Sequence, residues 1–159
     1  MLTLLLLFFP LLAAMLVYIV GHKLSSKLAL GLAVIELGIS GIALSKYLEN
    51  GADQFYVFHE WIAVPKISFH LGLDGLSLLL VLLTNLLSPL IILSAFNRLI
   101  PNAKSYFALI LLMQFALVGV FMAMDGLLYY IFWELALIPI YFIALQWGGP
   151  NRVPVTLKF

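Results

Sequence analysis

Two carboxylates, Glu36 and Glu134, sit in the middle of long apolar runs. A charge at the centre of a bilayer costs about 3 kcal/mol on insertion scales. Acids so placed face a bundle interior or a water path, and they recur in proton relays. Glu134 has the neighbours that such chemistry needs. Pro139, five residues on, offers no N–H to the carbonyl of Leu135. That frees a backbone acceptor beside the acid and invites a kink and local water. Tyr130 and Tyr141, at i−4 and i+7, share its helical face and are candidates to hydrogen-bond it or a connecting water. A carboxyl that desolvation pushes toward its neutral form and a nearby cation toward its charged form can switch states, as a proton carrier must. The competing reading, a permanently protonated acid that ties helices together, is outweighed by these neighbours.

Glu36 lacks such company. Its helical neighbours are Leu32, Ala33, Ser40 and Ala43, with no proline and no cation beside it. It reads as a protonated acid packed against another helix. Gln114, in a further apolar run, has the reach to donate to either acid and is a candidate neighbour of Glu134; a lone amide more often joins two helices. Pro89, after Thr84, Asn85 and Ser88, marks a second kink, read as packing. His59, Glu60 and His70 lie outside the apolar runs, and nothing fixes three of them at ligand geometry, so no metal site is assigned. There is no phosphate loop, nucleotide fingerprint or nucleophile–histidine constellation. Neither a catalytic residue nor a cofactor is expected in this chain.

The elements that hold these side chains are legible from composition. Of 159 residues, 65% are hydrophobic and 9% charged, with a mean hydropathy of +1.17. A soluble domain is roughly half apolar and about a quarter charged, so lipid must solvate most of this chain. A span needs about 20 apolar residues. Five stretches qualify, at about 2–20, 28–47, 76–96, 105–124 and 126–147. The first has no Lys or Arg before it and too long an apolar run for a signal peptide. The fold class is therefore an all-α integral membrane protein of five helices forming a single membrane domain over 1–159. Small residues on the second span (Ala29, Ala33, Gly38, Gly41, Ser45) suit close helix packing.

The long connection, 48–75, carries structure of its own. Ile67, Phe69, Leu71 and Leu73 alternate with Ser68, His70 and Gly72 behind an aromatic run from Phe55 to Trp61, with Pro65-Lys66 as the turn. That pattern predicts a short β-hairpin. Asp74, three residues before Ser77, reads as the cap that opens the third span.

Charge sets the orientation. His22, Lys23, Lys27, Arg98, Lys104, Arg152 and Lys158 flank one side; Glu49, Asp53, Glu60, Asp74 and Asp125 flank the other, with Lys46 and Lys66 the cations there. The positive-inside bias predicts an outer N-terminus and a cytoplasmic C-terminus, with the hairpin outside. A net charge of +1 with no clustered basic face excludes nucleic-acid binding. Without cysteine there is no disulfide, thiolate metal site or iron–sulfur ligation.

The stretch Phe69-His70-Leu71-Gly72-Leu73-Asp74-Gly75-Leu76-Ser77-Leu78 resembles the start of the third helix in the antiporter-like, proton-translocating subunits of NADH–quinone oxidoreductase, respiratory complex I. A more specific match runs from Phe132-Trp133-Glu134-Leu135 through Pro139, Tyr141 and Phe142 to Gln146-Trp147-Gly148, and resembles the fifth helix of the chain M members of bacterial complex I. The resemblance covers nearly the whole chain. It implies that Glu134 matches the glutamate proposed for the family's proton path, where it pairs with a lysine on a later helix. Glu36 matches no functional position of the family.

Family members continue well beyond a fifth helix, and none of the lysines here (Lys23, Lys27, Lys46, Lys66, Lys104, Lys158) lies mid-membrane. The expectation is an N-terminal part of such a subunit that does not pump alone. The resemblance further implies a multi-pass protein of the bacterial cytoplasmic membrane. Its partners would be the lipid bilayer and other complex I membrane subunits, with no directly bound small-molecule substrate, and redox chemistry would sit on those subunits. A related cation/proton antiporter or membrane hydrogenase subunit is the nearest competing reading. A non-transporting scaffold or degenerate gene product is the competitor of another class.

Overall fold

A computed structural model describes residues 1–62, 67–96 and 98–158, and for His22 and Lys23 the backbone only. The Pro65-Lys66 turn lies outside the described residues. Five long helices carry the chain: α1 (Leu2–Ile19), α2 (His22–Asn50), α3 (Gly75–Ala95), α4 (Ala103–Met122) and α5 (Gly126–Trp147). A short 3-10 turn (Asp53–Phe55) and an antiparallel pair, β1 (Val57–Ile62) and β2 (Ile67–Leu71), lie between α2 and α3, and a single turn, α6 (Arg152–Thr156), follows α5. Each of the five helices is long and apolar enough to cross a bilayer. The chain is a multi-pass membrane protein.

α2 exceeds its expected 28–47 at both ends. No proline stands between Gly21 and Gly51, so the polar turns flanking the apolar run stay helical until Gly51, whose φ of 74° ends the helix. α4 stops at Met122, before the expected 124, because the backbone is claimed elsewhere. The Gly72 N–H donates to the Met122 carbonyl and the Met124 N–H to the His70 carbonyl, each at 2.9 Å, so Ala123 bridges Leu71 as a short continuation of the hairpin. Gly72 leaves room there: a Cβ would stand 2.6 Å from the Met124 side chain and 2.7 Å from Tyr56, so those side chains would have to move.

α4 is the central helix. Over half of its most apolar stretch is buried, against less than a quarter for α5, and it packs chiefly on α1 and α5. Gly119 lets α5 approach, because a Cβ there would enter the Phe132 ring. One half of the core gathers Leu6, Leu7, Phe55, Leu73, Phe115 and Met122 under the hairpin; the other gathers Ala13, Val17, Ala33, Ile92 and Phe107. The hairpin end is tied down by Thr3, whose hydroxyl donates to the Phe55 carbonyl at 3.0 Å. At the opposite end the Trp147 indole donates to the Pro101 carbonyl at 2.8 Å.

Candidate functional site: two intramembrane acids

α5 opens on Asp125, whose carboxylate accepts from the Leu127 N–H at 2.9 Å and the Leu128 N–H at 3.4 Å. The second oxygen accepts from the Ser68 N–H at 3.3 Å and the Ser68 hydroxyl at 3.2 Å. One side chain thus caps the helix that carries Glu134 and pins the hairpin to it. The Ser68 N–H is the largest cause holding the Asp125 carboxyl below the usual carboxylate range. Asp74 repeats the device on α3: it accepts from the Ser77 N–H at 2.7 Å, which holds it likewise low. The role of Asp125 was readable, since an aspartate directly before an apolar run is the same signal as Asp74; counting it only as a loop charge obscured the cap.

Glu134 stands on the outward face of α5, exposed with Trp133 and Ile138. The Tyr130 side chain, one turn earlier and itself exposed, interacts with its carboxylate. Glu134 and Tyr141 line one shallow surface recess with Leu137, Ile138 and Phe142. Pro139 faces the other way and is buried. The expected neighbourhood of Glu134 therefore forms on one face, with one correction: Gln114 is not part of it.

Gln114 is buried in a second cluster, which joins α2, α3 and α4. Its amide Nε2 donates to Asn85 Oδ1 at 2.7 Å. Asn85 Nδ2 in turn donates to Ser40 Oγ at 2.6 Å and, more weakly, to Glu36 Oε1 at 3.4 Å. The Ser40 hydroxyl donates to the Glu36 carbonyl at 2.9 Å. All four residues are at most 1% exposed. In the sequence Asn85 reads only as a neighbour of Pro89. An Asn at helical register with a mid-span acid on another helix gives no one-dimensional signal, so the connection needed the fold.

In the hairpin, His70 pairs with Phe58, and His59 with Phe69. Strand alternation sets His59 on the face opposite Glu60 and His70, so the three do not converge. Among the described residues no group of His, Asp and Glu could hold a metal ion.

No family model matches the chain. It is 36% identical over 160 residues to the F(420)H(2) dehydrogenase subunit M of Methanosarcina mazei, a match covering 98% of this chain and 32% of that protein. It is 38% identical over 133 residues to the NAD(P)H-quinone oxidoreductase chain 4 1 of a Synechococcus strain, covering 82% of this chain and 25% of the relative. To the NADH-quinone oxidoreductase subunit M of Rickettsia conorii it is 37% identical over 110 residues, covering 69% of this chain and 22% of that subunit. The chain thus spans about a third or less of the length of these curated relatives. Among solved structures, respiratory complex I from Thermus thermophilus matches with a TM-score of 0.82 at 26% identity, over 99% of this chain and 32% of that one. An archaeal membrane-bound sulfane sulfur reductase shares the fold, with a TM-score of 0.83 at 20% identity, over 98% of this chain and 32% of that one.

Proposed function

We propose that this chain, a homologue of the subunit M and chain 4 proteins of quinone-reducing respiratory complexes, serves proton translocation in a membrane-bound NADH–quinone oxidoreductase, with Glu134 as its proton-carrying acid. The observation that carries the reading is where Glu134 stands: mid-span, on the outside of the five-helix unit, with Tyr130 on its carboxylate. A carboxylate facing lipid costs about 3 kcal/mol at the centre of a helix, so this face calls for a polar or cationic partner on a further helix. Tyr141 in the same recess is a second hydroxyl for a proton to meet. The partners are other membrane subunits of such a complex. The electron-carrying groups belong to those partners, since this chain offers no cysteine to an iron–sulfur cluster.

The topology belongs to the same proposal: N-terminus outside, hairpin outside, and the Lys/Arg-rich ends of α2, α4 and α6 toward the cytoplasm. The test of the assignment is Glu134→Gln in the complete subunit. We predict that proton uptake by inverted vesicles, driven by the complex's electron donor, falls at least tenfold while the complex still assembles. Normal uptake by an assembled variant would remove Glu134 from the path. A subunit of a related cation/proton antiporter would instead lose sodium-dependent exchange without any electron donor.

A further inference from the structure

The buried cluster of Glu36, Ser40, Asn85 and Gln114 is not used by the reading above, and its hydrogen bonds do not close. Two oxygens in it, Glu36 Oε2 and Gln114 Oε1, have no hydrogen-bond partner. Both belong to side chains held against one Asn85 carboxamide: Glu36 Oε1 receives its Nδ2–H, and Gln114 Nε2 donates to its Oδ1. Both orphaned atoms are acceptors, so what each of them lacks is a donor. Pro89 adds a third acceptor, because it has no N–H for the Asn85 carbonyl one turn earlier. An unsatisfied buried acceptor costs on the order of 1–3 kcal/mol, and in hydrocarbon there is no water to relieve it.

We infer that Glu36, Asn85 and Gln114 form a proton-binding site at mid-membrane, in which a proton on Glu36 Oε2 is donated toward Gln114 Oε1. A single proton changes the count at both ends. It converts one orphaned acceptor into a donor and supplies the hydrogen that the other lacks. An ionised Glu36 would instead be a buried charge with no cation to meet it. On α1 to α4 every other described ionisable group stands in an end turn or close to one: Lys27, Lys46, Tyr47 and Glu49 on α2, Lys104 and Tyr106 on α4, and Tyr18 on α1, with none on α3; α5, which packs on α4, adds Tyr129, Tyr130, Glu134 and Tyr141, none of them a cation. The site lies on α2, α3 and α4, whereas Glu134 faces outward from α5, so the inference does not rest on the role of Glu134.

The experiment is infrared difference spectroscopy of the assembled protein in its membrane, following the C=O stretch of a protonated carboxylic acid. We expect one such band to vanish in Glu36→Gln, to persist in Glu134→Gln, and to move to higher frequency in Gln114→Met, which removes the acceptor. Carboxylate bands from Glu36 in place of the acid band would overturn the inference. So would an acid band indifferent to Gln114→Met. Replacement of the band on adding sodium would also overturn it, by showing a cation site. Should Glu36→Gln fail to assemble, the frequency shift in Gln114→Met decides alone.

Discussion

At the scale of single residues the two acids are in opposite circumstances, and their substitution should separate stability from function. Asn85 donates to Ser40 and Glu36 and accepts from Gln114. Asn85→Leu leaves three buried polar groups short of a partner at once. A lost buried partner costs about 1–3 kcal/mol in general, though polar contacts between membrane helices average nearer 0.6. We therefore predict a loss of about 1–3 kcal/mol for Asn85→Leu, read as a lower unfolding midpoint in mild detergent. Glu134→Gln, on an exposed face beside Tyr130, should leave that midpoint in place. Equal losses in the two variants would contradict the distinction between a buried cluster and an outward-facing acid. Sequence disclosed both acids and the face that Glu134 shares with Tyr130 and Tyr141. It did not disclose where Glu36 points, because α2 is apolar or small on all sides and no polar stripe fixes its rotation. Which of the two acids Gln114 stands near was left open by the sequence for the same reason: α4 is buried against four neighbouring helices, and its sequence does not say which one its amide meets.

Among the elements, the hairpin is the one whose attachment could not be read from its own residues. Alternation over Ile67 to Leu73 and the aromatic run before it disclosed both strands, and β1 with β2 appear as expected. The third edge, where β2 pairs with the α4–α5 turn through Met122 and Met124, came from residues that composition assigned to the fourth span. Asp125 fastens that junction, and its folded carboxyl lies below the usual carboxylate range. The sign follows from linkage: a carboxyl whose folded value is depressed contributes stability above its unfolded value, near 3.9 for Asp, and loses it as pH falls through the folded value. Hydrogen-exchange protection at the Ser68 and Leu127 amides, taken relative to the intrinsic rate at each pH, should therefore be held at neutral pH and be lost only under acid conditions. Asp125→Ala should show that loss at every pH. Exchange at these amides that ignores both acid and Asp125→Ala would mean that the hairpin is held by its backbone pairing alone.

For the whole molecule, the spans were legible because apolar length is a property of composition, while the packing order was not. Which helix becomes the centre depends on small residues where helices meet, and Gly119 against Phe132 makes sense only once α4 and α5 are side by side. Sidedness is a separate matter, set by charge and not by packing. The hairpin, the ends of α2 and α4 and the start of α5 share one end, with Glu49, Asp53, Asp74 and Asp125; Lys27, Arg98, Lys104 and Arg152 stand at the other. The proposed orientation rests on this split: Lys and Arg retained in the cytoplasm would set the acidic end outside. The absence of cysteine makes this directly testable, since any introduced thiol is the only one in the chain. Asn50 and Asn151 are exposed and lie at opposite ends of the bundle. In intact cells a membrane-impermeant maleimide should label Asn50→Cys and leave Asn151→Cys unlabelled until the membrane is opened. The reverse pattern would invert the orientation. The Glu134 assignment would survive that, because an acid inside the span is set apart from both faces, but the direction in which its proton enters and leaves would have to be exchanged.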